Sequence, residues 1–260
     1  MTAPTTGWVP TPVGRVHVVR AGVGRPVLLL HQTPRSWDEF REVIDLLADE
    51  YHLVAVDLPG MGASDPHPDG PSIERYADAA AAVLEHLGLG PVAVCGHHTG
   101  GVVAVDLAAR RPELISQLVL SSTPWVDAAA RAARAERTPV DTVVRSSTGD
   151  HLGALWAQRA PFYGGRTDLL DRFIVDALRA TDQAEGHLAV GAYEMERTIG
   201  QIRCAVTVVE HGEDPFASVH TEELVAQLPG AVSVERIPDG LIPLEATAPA
   251  FAEVLRRALG

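Results

Sequence analysis

Residues 91–111 constrain the fold more than any other stretch of the chain. Pro91-Val92-Ala93-Val94-Cys95 is a short apolar run of strand type. Gly96-His97-His98-Thr99-Gly100-Gly101 follows, and Val102 to Arg111 carries apolar residues at helical spacing before Pro112 stops it. The pattern predicts strand, tight turn and helix. Glycines on both sides of the turn allow a strained bend that pushes one side chain outward at the strand's end. The projecting residue is His98.

The flanking sequence repeats the strand–helix rhythm. Two short antiparallel strands are expected within 8–20, and buried strands at Pro26–Leu30, Tyr51–Val56 and Leu114–Leu120. Ser36, with Glu39 three residues on, reads as a capping box for a helix reaching about Ala48. An alanine-rich helix is expected from Ile73 to Leu87. Strands alternating with helices imply a parallel sheet wound by right-handed crossovers. From Pro124 to Gly200 the patterns are helical only: Val126–Arg137, Val140–Val144, His151–Gln158, Leu169–Thr181 and Ala184–Thr198. That block reads as a cap over the sheet's carboxyl edge. The expected division is a core of 1–123 and 200–260 with a cap of 124–199. Strands return at Ala205–Glu210 and Val232–Ile237, and helices at Thr221–Gln227 and Ala248–Leu259 close the chain.

Composition narrows the function. A formal charge of −13 argues against nucleic acid and anionic membranes, which need clustered cations. All 21 basic residues are arginine, so Schiff-base, pyridoxal-phosphate and Walker-type lysine chemistry is excluded. Cys95 and Cys204 read as reduced side chains of a cytoplasmic protein. The start of the chain lacks a basic and apolar leader, and no run is long enough to span a bilayer. His31, His97 and His98 do not have the spacing of a metal site, so no metal and no cofactor are expected.

Five segments together resemble the α/β-hydrolase fold, closest to its epoxide hydrolase and haloacetate dehalogenase branch. His31-Gln32-Thr33-Pro34-Arg35-Ser36-Trp37 is similar to the branch's H-G-x-P-x-x-W, and Asp57 to Asp65 to its D-x-x-G-x-G-x-S-D. Gly96 to Gly101 has the frame of its G-H-D-x-G-G nucleophile elbow, with His97 at the family histidine and His98 at the nucleophile. His211-Gly212-Glu213-Asp214-Pro215 resembles the acid loop, with Asp214 at the acid. Ile237 to Glu245 resembles I-P-x-x-G-H-x-P-x-x-E, with Leu241 at the catalytic histidine. The resemblance implies an eight-stranded, mostly parallel sheet with flanking helices and a helical cap inserted after the sixth strand. It also implies that two of three catalytic positions are replaced, so the covalent ester route has neither nucleophile nor base.

His98 is then a candidate general acid or base, since imidazole exchanges protons near neutrality, with Asp214 fixing its tautomer. The backbone N–H groups of Thr33 and Thr99 stand where this fold builds its oxyanion hole. Candidates for substrate contact are Gln32, His31, His97 and Ser122, with Ser121 beside it, and Arg159 and Tyr163 in the cap. Trp156, Phe162, His187 and Tyr193 are further cap lining. The expected substrate is a small carbonyl compound, ester or lactone. Hydrolysis and proton abstraction of lyase or cyclase type both suit these parts, and a ligand-binding pseudoenzyme is the alternative. The expected assembly is a monomer or homodimer, with no nucleic-acid or membrane partner.

Overall fold

Side chains alternating between the two faces of the sheet explain the layering. In a computed structural model, which describes residues 4–138, 140–241 and 244–260, eight strands form one sheet in the order β1-β2-β4-β3-β5-β6-β7-β8. They are β1 (Thr5–Thr11), β2 (Gly14–Ala21), β3 (Arg25–Leu30), β4 (Tyr51–Val56), β5 (Val92–His97), β6 (Ile115–Ser121), β7 (Ala205–His211) and β8 (Val232–Ile237). β1 and β2 pair antiparallel, as do β2 and β4; the remaining pairs are parallel.

Successive residues of a strand face opposite sides of the sheet. Val27 and Leu29 therefore join a core with α1 (Arg41–Leu47) and α9 (Ala248–Leu259), while Leu28 and Leu30 join the other core with α2 (Ile73–His86) and α3 (Thr99–Arg110). Both faces are covered, so the central strands are apolar throughout.

Between β6 and β7 the chain forms α4 (Ala128–Ala135), α5 (Asp150–Arg159), α6 (Thr167–Arg179) and α7 (Glu185–Ala192); α8 (Thr221–Gln227) follows β7. Leu155, Tyr163, Leu169, Leu170, Phe173 and Ala177 make a small separate core within this helical segment. Ala189, Val190 and Tyr193 pack instead into the main core, where the Tyr193 hydroxyl donates to Asp106 at 3.0 Å.

Local expectations failed at three places. The Val140–Val144 helix is absent: Val140 and Asp141 form a turn, and Asp141 takes φ 67°. The helix expected over Ala184–Thr198 stops at Ala192 and continues as short 3-10 turns. The capping box does not form either. Ser36 accepts from the Asp38 N–H, and the Glu39 carboxylate accepts instead from the backbone and side-chain N–H groups of Gln32, with Arg35 4.0 Å away.

Candidate active site

The elbow's geometry follows from close approach of backbones. A Cβ on Gly100 would run into the Leu30 carbonyl, and one on Gly96 into the Gly100 carbonyl, so α3 can start directly against the strand ends only with glycine at both positions. His98 pays for this with φ 46° and ψ −113°, a conformation that costs a non-glycine residue on the order of 1–3 kcal/mol. Its N–H donates to the Ser121 carbonyl at 3.0 Å, which fixes the elbow to the end of β6.

The imidazole of His98 reaches the loop after β7. Its Nε2 lies 2.8 Å from Asp214 Oδ2. The histidine side chain keeps 14% of its surface accessible, while that of Asp214 is sealed. The other carboxylate oxygen of Asp214 accepts from the N–H groups of Phe216 at 2.8 Å and Ala217 at 3.3 Å. Burial alone would raise this acid. The adjacent His98, the Phe216 N–H and the Ser122 hydroxyl outweigh that and hold it well below the usual carboxylate range. A carboxylate so firmly held is an anchor and not a base. Because Nε2 faces the acid, Nδ1 is the ring nitrogen left for other work.

Ser122, just after β6, also has positive φ (42°) and is buried beside the acid, whose pKa it helps to lower. Thr99 opens α3, and Thr33 lies in the loop after β3. Among the described residues, neither N–H donates to a backbone carbonyl. Thr33 is overlaid by the cap: a Cβ on Gly186 of α7 would collide with its side chain.

Three of the residues expected to meet substrate are turned inward. His31 is fully buried; its Nδ1 donates to the Gln32 carbonyl at 2.7 Å and its Nε2 accepts from the Leu58 N–H at 2.9 Å, so both nitrogens are used. Burial pushes its pKa down, consistent with this neutral tautomer. Gln32 donates its backbone N–H (2.8 Å) and its side-chain amide (2.5 Å) to Glu39, so that amide serves the loop and not a substrate carbonyl. His97 is fully buried with Nδ1 2.9 Å from Ser121 Oγ, and its ring meets the His98 ring edge-on at 4.6 Å. Arg159 and Tyr163 belong to the cap's interior. Arg159 pairs with Asp141 and lies over the Phe173 ring at 4.9 Å; Tyr163 packs on the same ring. Leu241 is half-buried, with a methyl group against Gly164 of the cap.

Two groupings escaped the sequence reading. His211 ends β7, and its Nε2 lies 3.0 Å from Ser121 Oγ, which completes a buried chain His97–Ser121–His211 beneath the elbow. Burial and the neighbouring His98, against the pull of Asp214, push His211 down to about 4, so it is neutral at working pH. The second grouping surrounds Arg35, which is fully enclosed. It contacts Asp176 at 3.0 Å, Glu245 at 2.7 Å, Asp38 at 3.7 Å and Glu39 at 4.0 Å. Arg172 of α6 reaches back to Asp38 at 2.6 Å. Two arginines thus cross between the cap and the loop that carries Thr33. Burial and Glu245, against Arg35, raise Glu39 to about 7. A lone arginine in a loop gives no hint of such a cluster, since its acids come from positions up to 245.

The family model for the alpha/beta hydrolase fold matches residues 25–234. The chain belongs to the α/β hydrolase family. A soluble epoxide hydrolase of Corynebacterium sp. is 39% identical over 106 residues, which cover 41% of this chain and 37% of that one. Haloalkane dehalogenase 2 of Mycobacterium tuberculosis is 32% identical over 117 residues, 45% of this chain and 41% of that one. The matched stretches thus span about two fifths of these relatives' lengths. Among solved structures, a hydrolase from Pseudomonas aeruginosa superposes with a TM-score of 0.80 at 18% identity, over 100% of both chains. The enol-lactonase from Burkholderia xenovorans gives 0.76 at 18% identity, over 97% of this chain and 99% of that one. Likenesses this distant in sequence speak for the fold alone. Among the described residues, no helix is long and apolar enough to cross a membrane, and no cluster of ligating side chains could hold a metal ion.

Proposed function

We propose that this chain is a hydrolase of small esters or lactones in which His98 activates water directly, without a covalent intermediate. The observation that carries the reading is the 2.8 Å contact between His98 Nε2 and the Asp214 carboxylate on a strained elbow. With the proton on Nε2, 2.8 Å from the anion, the Nδ1 lone pair is the proton acceptor. Water gives a proton to Nδ1 while its oxygen attacks the carbonyl carbon. The resulting oxyanion is met by the N–H groups of Thr99 and Thr33. The carbon–oxygen bond to the leaving group then breaks, and the proton on Nδ1 passes to the departing alkoxide. The products are the acid and the alcohol, and His98 returns to its starting form. Asp214 steadies the imidazolium throughout and exchanges no proton.

Three features support the assignment. Strain at His98 and burial of an ionised Asp214 are both costly, and they persist where the surroundings over-determine them. Leu241 supplies no alternative base. His31, His97 and His211 are sequestered beneath the site, which singles out His98.

Turnover of a panel of aryl and alkyl esters and of five- and six-membered lactones, with wild type and His98→Ala, tests the proposal. Hydrolysis that falls by about 10²-fold or more in the variant supports a general base. Equal turnover in both proteins refutes it. Tight lactone binding with no turnover by wild type would instead mark a ligand-binding protein that has lost its chemistry.

A further inference from the structure

A second histidine–carboxylate pair lies in the cap, outside the machinery described above. His187, on α7, places Nε2 3.0 Å from Asp141 Oδ2. Asp141 is fully buried with φ 67°, and its N–H donates to the Gln158 side chain at 3.1 Å. Arg159 grips the same carboxylate through two nitrogens, while its guanidinium lies over Phe173. Burying a carboxylate and a guanidinium among apolar cap residues carries a large desolvation cost, and a hydrophobic packing of the same volume is often at least as stable. The assembly therefore calls for an explanation other than stability.

Its outlet is His187. Asp141 and Arg159 are enclosed, but the His187 side chain, although packed round by protein, remains 20% accessible. No described residue bonds its Nδ1, and that atom is not sealed. The charged groups that face the ring are Asp141, Arg159 and, from α4, Arg134. Burial, Arg159 and Arg134 outweigh Asp141 and push the imidazole pKa down. The ring is thus neutral, with Nε2–H donated to Asp141 and a lone pair on Nδ1. Its helix touches the candidate oxyanion loop, since the preceding residue, Gly186, lies directly on Thr33.

We propose that His187 Nδ1 is a substrate-binding acceptor projecting from the cap, and that the substrates are esters or lactones carrying a hydroxyl or amide N–H that it receives. The inference deepens the base reading and rests on it. Asp141 and Arg159 are positioning residues: they fix the tautomer and orientation of a ring that a surface histidine would leave free. A site built to take a substrate donor discriminates against the analogue lacking it, because the acceptor is then left unpaired.

The test compares a γ-lactone bearing a ring hydroxyl or acylamino group with the unsubstituted lactone. Wild type is expected to favour the donor-bearing member in kcat/KM by about tenfold or more. In His187→Phe that ratio collapses toward one. In His187→Gln, whose amide can still donate to Asp141 and accept from substrate, part of it returns. Equal losses on both lactones in His187→Phe, with no recovery in His187→Gln, would assign the ring a purely structural role and overturn the proposal. Affinities for the same pair, measured by calorimetry on His98→Ala, separate the two readings. If wild type turns over neither lactone, the base reading falls, and a binding preference that His187→Phe abolishes in the His98→Ala background still upholds the acceptor. Equal affinities refute it.

Discussion

Replacing Asp214 by asparagine keeps the volume and shape of the side chain and changes only what it offers to His98. The carboxylate has one oxygen on the N–H groups of Phe216 and Ala217 and the other on His98 Nε2 at 2.8 Å. The asparagine oxygen must stay on the two backbone donors, so its NH₂ group turns toward His98. Two N–H donors then face each other. The conflict is relieved when the imidazole moves its proton to Nδ1, which consumes the lone pair assigned to water activation. The expected loss in kcat is about 10³–10⁴-fold, the scale seen when a histidine is forced into the wrong tautomer in serine proteases. That corresponds to about 4–5 kcal/mol of transition-state stabilisation. The fold should survive with a cost of about 1.5–3 kcal/mol for lost charged hydrogen bonding. The same change has a pH signature. A carboxylate whose folded pKa is depressed contributes stability above its unfolded value and loses it as pH falls. Wild type should therefore lose stability below about pH 4, and Asp214→Asn should lose less over that range. Steady-state kinetics on an aryl ester, with chemical denaturation at pH 7 and pH 3.5, reads both effects. Retention of kcat within tenfold, in a folded variant, would refute the tautomer argument.

Other outcomes follow from the same contacts. In Gly186→Ala, the new methyl group meets the side chain of Thr33, so α7 or the loop must shift; activity should drop about tenfold or more and stability by about 1–3 kcal/mol, read as kcat and Tm. Arg35→Met leaves Glu245, Asp176 and Glu39 without their buried counter-charge and should cost about 3–5 kcal/mol in urea unfolding, while an unchanged midpoint would mean the acids simply take up protons. Glu39 has its folded pKa raised from 4.5 to about 7, so the folded state binds the extra proton; this group's contribution declines as pH rises from about 4.5 to about 7 and is flat above. The decline is at most about 3 kcal/mol, and Glu39→Gln should remove it from a stability-versus-pH curve.

The strands and the elbow were legible because they depend on short-range rules. Apolar runs such as Val27–Leu30 and the glycines around His98 dictate local backbone wherever the rest of the chain goes. The cap was legible only in outline. Val140–Val144 has apolar residues at plausible spacing, yet it is an irregular segment, because Asp141 is drawn inward to Arg159 and His187. Nothing within a few residues of Asp141 announces those partners.

The sequence by itself determined the α/β alternation, the elbow and the residue it presents, and the resemblance marked the acid on the facing loop. Tertiary structure decided which polar side chains are available. His31, His97 and Gln32 stood as candidates for substrate contact, but each spends its hydrogen-bonding groups on neighbours or is buried beneath the sheet's edge. Only the fold sets Nε2 of His98, rather than Nδ1, against Asp214. The physical reason is range. Backbone conformation answers to near neighbours in the chain, whereas burial, charge pairing and tautomer answer to groups that folding brings from 100 or more positions away, as it brings Asp214 to His98 and Asp176 to Arg35.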